Sequence, residues 1–317
     1  MKILIDIDDL ERTQIVSAPM AATLRQHALR DTGSTAINIL LAFGAIAIAA
    51  GILALHPSTL AGALFGLAFV VGGGVLKARP ASPWRKLGGI WMIVGALILA
   101  AGTGALIDQP LLACLVGALI LLVVGFLAGS RLLIALTPLA VLAAIGGSTG
   151  YWHACYEIAI EEPTLTVLLF SALSYGGWLV VKATAGLTQD LSLAFTRMSL
   201  ILVNFGFWIG SLWGDTPGHS WRQEYAGAAD RQIPELIFVL AWAVALLAAG
   251  AWGARNGRRF LVNVAATFGG ILVYTQWFER MALQPLSVIA GGLFAIAIGL
   301  GLWNYNRRVL MPGEPRP

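Results

Sequence analysis

Apolar residues run through this chain in blocks of about twenty, broken by short clusters of charge, proline or glycine. A block of that size matches the ~20 residues, rising ~1.5 Å each, that carry a helix across a hydrocarbon core. Blocks of this kind lie roughly at 34–55, 59–77, 87–107, 111–129, 132–152, 164–181, 198–213, 235–254, 260–278 and 286–305. The pattern predicts an all-α polytopic transmembrane helix bundle of about ten helices, occupying 34–305. Outside it stand an N-terminal segment, 1–33, and a tail, 306–317. The first reads as two short helices: Ser17 is placed to cap one before Pro19, and Met20, Leu24 and Ala28 recur at helical spacing. Two further segments, near 155–163 and 214–234, read as loops on the opposite side of the membrane from the termini.

The placement of charge orients the bundle. With the N-terminus in the cytoplasm, only Arg222, Arg231 and Arg280 of the 20 lysines and arginines fall outside. Positive charge concentrates in cytoplasmic loops, so both termini are expected there. Removing one helix would invert every loop downstream and destroy that asymmetry. Tryptophans fit the same threading: Trp84, Trp178, Trp252 and Trp303 fall near inner ends, and Trp152, Trp213 and Trp277 near outer ends. Indole rings favour the headgroup level. The opening MKILIDIDDLERTQ carries Asp6, Asp8, Asp9 and Glu11 where a cleavable signal would need an apolar core, so the first span is expected to direct insertion.

Composition narrows the partners. Of 317 residues, 58% are hydrophobic and 11% charged, whereas soluble domains carry about a quarter charged residues. The principal partner is therefore the lipid bilayer, and the expected location is a bacterial-type inner (cytoplasmic) membrane. A net charge of +4 does not imply nucleic acid, because the charges sit in clusters between apolar runs and not along one face. Cys114 and Cys155 form neither a ligand pair nor a disulfide framework. Glycines at i, i+4, such as Gly62/Gly66, Gly125/Gly129, Gly146/Gly150 and Gly206/Gly210, and the Gly72–Gly74 triplet, read as places where helices approach closely.

Two groups of polar residues are candidate sites. Within the spans, Asn263, Thr267 and Tyr274 recur on one face of the ninth helix, Ser171 and Tyr175 lie on the sixth, and Asn204 lies on the seventh. They read either as groups that hydrogen-bond between helices or as the outline of a polar substrate cavity between helices six, seven and nine. None is ionised at neutral pH, which argues against a proton relay. The second group is an external rim: His153, Glu157 and Glu161 share a face if that segment is helical, and Glu279 and Arg280 close the stretch YTQWFERM. With no HExxH or cysteine pair, no metal or other cofactor is assigned. None of the four histidines sits mid-span, and no nucleophile elbow or phosphate-binding loop appears, so no catalytic residue is expected. The string GGSTGYW from Gly146 reads as a helix end.

The segment LERTQIVSAPMAATLRQ leading into the first span, and the block FLVNVAATFGGILVYTQWFERM with PLSVIAGGLFAIAIGLGLWNYNRR, resemble a widespread family of bacterial inner-membrane proteins, of the domain-of-unknown-function 2157 type. The resemblance implies a polytopic membrane protein and brings no activity. Ten helices in two halves, 34–152 and 164–305, are also similar in plan to the drug/metabolite transporter superfamily. The expected function is thus a non-enzymatic envelope protein whose N-terminal helices dock a protein partner. The alternative is a secondary transporter of a small polar solute.

Overall fold

The computed structural model describes residues 58–78, 84–152, 155–218 and 232–281, with positions scattered through 11–24, 37–54 and 289–304; it describes backbone alone at 149–152, 155–158 and 278–281. Among the described residues, seven helices can cross a membrane by length and composition. They are α1 (Thr59–Ala78), α2 (Arg85–Gly104), α3 (Pro110–Ala128), α5 (Pro163–Ala183), α6 (Gly186–Trp213), α7 (Glu235–Arg255) and α8 (Arg259–Met281). A shorter helix, α4 (Arg131–Ala144), and a two-stranded hairpin, β1 (Gly147–Trp152) and β2 (Cys155–Ile160), stand between α3 and α5. The described residues of 18–24, 37–54 and 289–304 are helical as well. The protein is therefore a multi-pass membrane protein with a helical bundle. Its chain forms two compact units, 1–133 and 134–317.

In the first unit, α1 and α2 pack antiparallel with their backbones in contact. Ser58 starts α1 by accepting the Ala61 N–H on its hydroxyl at 3.1 Å. Gly88, Gly95 and Gly102, seven residues apart on α2, lie against Gly73, Gly66 and the Gly62–Ala63 pair of α1. A methyl built at Gly95 would lie 2.7 Å from the Val70 nitrogen, and one at Gly73 would lie 2.6 Å from the Gly88 oxygen. Neither neighbour can move aside, because both atoms are main chain. Gly73 therefore acts as a packing point within the triplet, while Gly74 faces open space. On its far side α2 packs against α3, which begins at Pro110 and ends at Gly129 in the left-handed region (φ 63°). There Ser130 N–H donates to Gly125 O at 2.9 Å, closing the last turn as a glycine C-cap does. Lys77 Nζ reaches over from α1 to the Leu127 carbonyl at 2.9 Å.

The second unit departs from the hydropathy reading in two places. The expected span 132–152 is a helix of only 14 residues, about 21 Å, too short for a hydrocarbon core of ~30 Å. Gly146, at φ +88°, turns the chain into β1, so GGSTGYW is a strand and not a helix end. β1 and β2 pair antiparallel from Gly147 opposite Ile160 to Trp152 opposite Cys155. Among the described residues the fold is thus helical apart from this hairpin and an isolated bridge between Asp215 and Ile233. Conversely, the span expected at 198–213 begins twelve residues earlier: α6 runs for 28 residues, about 42 Å.

α6 is the central helix of its unit, packing against α5 on one side and α7 on the other. With α5 it buries Phe170, Leu202 and Val203, joined by Leu142 and Ile145. With α7 and α8 it surrounds Trp242, Leu246, Phe268 and Leu272. Trp242 is completely buried, stacked on Phe207 with ring centres 6.4 Å apart. Its Nε1–H donates to Asn204 Oδ1 at 2.9 Å, and Asn204 Nδ2 donates to the Leu200 carbonyl at 2.8 Å. A polar pair at the centre of an apolar bundle is satisfied in this way and ties α6 to α7.

Replacing Gly95 by Leu forces side-chain volume into the α1 backbone and is expected to cost about 3 kcal/mol or more. Gly74→Leu meets nothing within 4 Å and is expected to leave the protein intact. Thermal unfolding of the two variants in detergent checks the contrast, and equal losses would contradict the packing.

Candidate functional site

The start of α5 lacks a cap of its own: Glu162 precedes it without a side-chain hydrogen bond to the helix, and Pro163 occupies its first turn. The cap comes from elsewhere. Asp215, immediately after α6, accepts the Thr164 N–H on Oδ2 at 2.8 Å. A carboxylate there satisfies an orphan amide and meets the positive end of the helix dipole. Asp215 is held in place by its own backbone, which pairs with Ile233 through bonds of 3.0 and 2.7 Å. Gly214, at φ 69°, makes the turn out of α6 toward that pairing. Glu162 reaches in the opposite direction: it is 1% exposed, and its Oε2 accepts the Gly218 N–H at 2.8 Å. Two buried carboxylates, one on each segment, thus lace the start of α5 to the chain that follows α6.

Above this lacing is a pocket of about 420 Å³, lined by Ala159, Ile160, Glu161, Pro163, Ile209, Trp213, Gly214, Asp215, Thr216 and Gln232. That volume lies within the ~300–1,000 Å³ of small-molecule sites. The charged groups in its lining are two carboxylates, Glu161 and Asp215. Glu161 is exposed and folds across Gly146, where a methyl would lie 2.7 Å from Glu161 Oε2. Asp215 is 6% exposed. Trp213 is 75% exposed and adds an aromatic face, while Ile160, Pro163 and Ile209 supply an apolar floor. Deeper at this end, the hydroxyls of Thr164 and Thr166 are buried without a hydrogen-bond partner among the described residues. Gln276 of α8 donates to the Ser211 carbonyl at 3.4 Å, bringing α8 to the same end of the bundle.

The residues expected to outline a cavity inside the bundle take different places among the described residues. Asn204 is buried against Trp242 and serves packing. Ser171, Tyr175, Thr267 and Tyr274 lie on exposed faces, and Asn263 is half-buried. Tyr274 faces Gly291, where a methyl would be 3.9 Å from its ring. On the rim, Glu161 does line the pocket. The helical face proposed for His153, Glu157 and Glu161 is overturned, because Glu157 lies in β2 opposite Gly150. His153 lies outside the described residues, and Glu279 and Arg280 are described as backbone at the end of α8. Among the described residues no three His, Cys, Asp or Glu side chains cluster as a metal site.

Glu162 and Asp215 are the residues that a pattern search passes over. Their signals are local: an acid directly before Pro163 and the turn GDTP directly after the apolar run of α6. Comparison with family models, curated proteins and solved structures finds no match for this chain.

Asp215→Ala removes the borrowed cap and is expected to cost about 1 kcal/mol, whereas Asp215→Asn keeps an acceptor oxygen and loses less. Thermal unfolding midpoints should rank wild type, then Asn, then Ala; an Ala variant as stable as wild type would refute the capping role.

Proposed function

We infer that this chain is a non-enzymatic multi-pass protein of a bacterial-type cytoplasmic membrane that holds a small organic cation in a pocket on its outer face. The observation that carries this reading is the pairing of Glu161 and Asp215 with the Trp213 ring around one cavity. Carboxylates attract a protonated amine, and an indole face attracts the same charge through its quadrupole. The apolar lining suits the carbon skeleton of such a solute. Among the described residues the lining offers carboxylates, an indole and apolar side chains, a set suited to recognition of a cation.

The outward orientation is supported by the charge asymmetry of the loops: the pocket end of 134–317 carries acids, and the opposite end carries Lys182, Arg197, Arg255, Arg258 and Arg259. Both termini then lie in the cytoplasm, where the exposed apolar residues Met20 and Leu24 of the N-terminal helical segment offer a face for a protein partner. The sequence resemblance to polytopic inner-membrane proteins agrees with this location.

Orientation is checked by placing a single cysteine at Thr216 or at Gln189 in a cysteine-free background. A membrane-impermeant maleimide added to intact cells should label the first and not the second; the reverse pattern overturns the topology. Binding is checked by calorimetry on the full-length protein in detergent, titrated with butylammonium and with butyrate. The amine should bind and the acid should not, and Glu161→Gln should weaken the amine at least tenfold. Equal binding of both, or no effect of Glu161→Gln, overturns the site. Accumulation of the bound amine inside proteoliposomes would make the protein a carrier of that cation.

A further inference from the structure

The opposite end of the same four helices has a different chemistry. α5 finishes there with Lys182, α6 passes through it with Arg197, α7 ends at Arg255, and α8 starts at Arg259 after Arg258. Lys182 Nζ stands 3.7 Å from the centre of the Trp178 ring, and Arg197 Cζ stands 4.9 Å from the centre of Phe260. Trp178 in turn meets Trp252 of α7 edge-on, with ring centres 6.3 Å apart, and lies 6.0 Å from Tyr175. The aromatic groups thus join helices that are not neighbours in sequence and hold cations beside them.

Lys182, Arg197, Arg255 and Arg258 are exposed, and none has a carboxylate partner among the described residues. Asp190 is the one acid between 178 and 200, and there is no acid between 250 and 262. Indole rings at the ends of apolar helices mark headgroup depth, so these cations sit where phosphates of the bilayer lie. Just below them toward the core, Leu179 and Val180 are exposed apolar residues on α5, and Trp252 is 43% exposed on α7. Cationic groups above an exposed apolar wall match a molecule with an anionic head and acyl chains.

We propose that the basic and aromatic end formed by Lys182, Arg197, Arg255 and Arg258 is a binding surface for an anionic glycerophospholipid of the adjacent leaflet. The phosphodiester would take hydrogen bonds from the guanidinium groups, whose forked donors suit phosphate oxygens. The acyl chains would lie along Leu179 and Val180. Basic residues near a membrane surface each contribute attraction to acidic lipid, and that attraction weakens with salt.

The test uses the full-length protein purified in a neutral detergent. Native mass spectrometry and thermal unfolding are run with phosphatidylglycerol, phosphatidylcholine and inorganic phosphate as separate additions. Phosphatidylglycerol should be retained at least tenfold more strongly than phosphatidylcholine, should raise the unfolding midpoint, and should lose affinity as salt increases. Inorganic phosphate alone should do neither. A Lys182→Gln, Arg197→Gln, Arg255→Gln, Arg258→Gln variant should bind both lipids equally. Should that variant not fold, the salt dependence of wild type and an Arg255→Gln, Arg258→Gln pair, outside the aromatic contacts, decide the matter. Equal retention of the two lipids by wild type, salt-independent binding, unchanged preference in either variant, or binding of phosphate as tight as that of the lipid overturns the proposal.

Discussion

Helices in lipid gain little by hiding apolar surface from one another, since the acyl chains are as apolar as leucine. What holds this protein together must come from close contact and from the few hydrogen bonds that cross between helices. The two units answer that constraint differently. In 1–133, glycines let α1 and α2 approach until main chain touches main chain, and leucines such as Leu60, Leu64 and Leu67 are left on the outside. In 134–317, aromatic rings fill the centre, and the Trp242–Asn204 bond satisfies the polar groups buried with them. The first solution leaves small residues inside and large apolar ones outside, whereas the second buries large rings and pairs the polar atoms enclosed with them.

The same constraint explains why the second unit keeps its chemistry at its ends. Charge near the bilayer midplane is costly, so carboxylates and cations belong where water or headgroups begin. At one end Asp215 and Glu162 are spent on backbone amides and shape a pocket with Glu161 and Trp213. At the other, Lys182 and Arg197 lie on aromatic rings, facing outward. Acid on one side and base on the other follow from one threading of four helices.

Much of the fold was legible as hydropathy, because a spanning helix must satisfy its own backbone and be apolar over a fixed length. Among the described residues, seven of the expected spans appear as membrane-length helices for this reason. The segment 132–152 misled because apolar composition does not distinguish helix from strand: Gly146, Gly147 and Gly150 end the helix and admit a hairpin. The polar stripe on α8 shows a different limit of the sequence. Spacing shows that Asn263, Thr267 and Tyr274 share a face, but not what that face meets, and Thr267 and Tyr274 point away from α6 and α7. Glu161 was legible as a candidate rim acid; its partner Asp215 was not, since 53 intervening residues separate them.

The sequence by itself determined that this chain lives in a membrane, that its charges cluster between apolar runs of spanning length, and that glycine would mediate contact between helices. These are properties of composition and period, set by each segment's own encounter with lipid and water. The tertiary structure alone decided which polar groups meet. Asp215 caps α5, Asn204 binds Trp242, and Trp178 meets Trp252 because helices distant in sequence lie side by side, and no local pattern carries that adjacency.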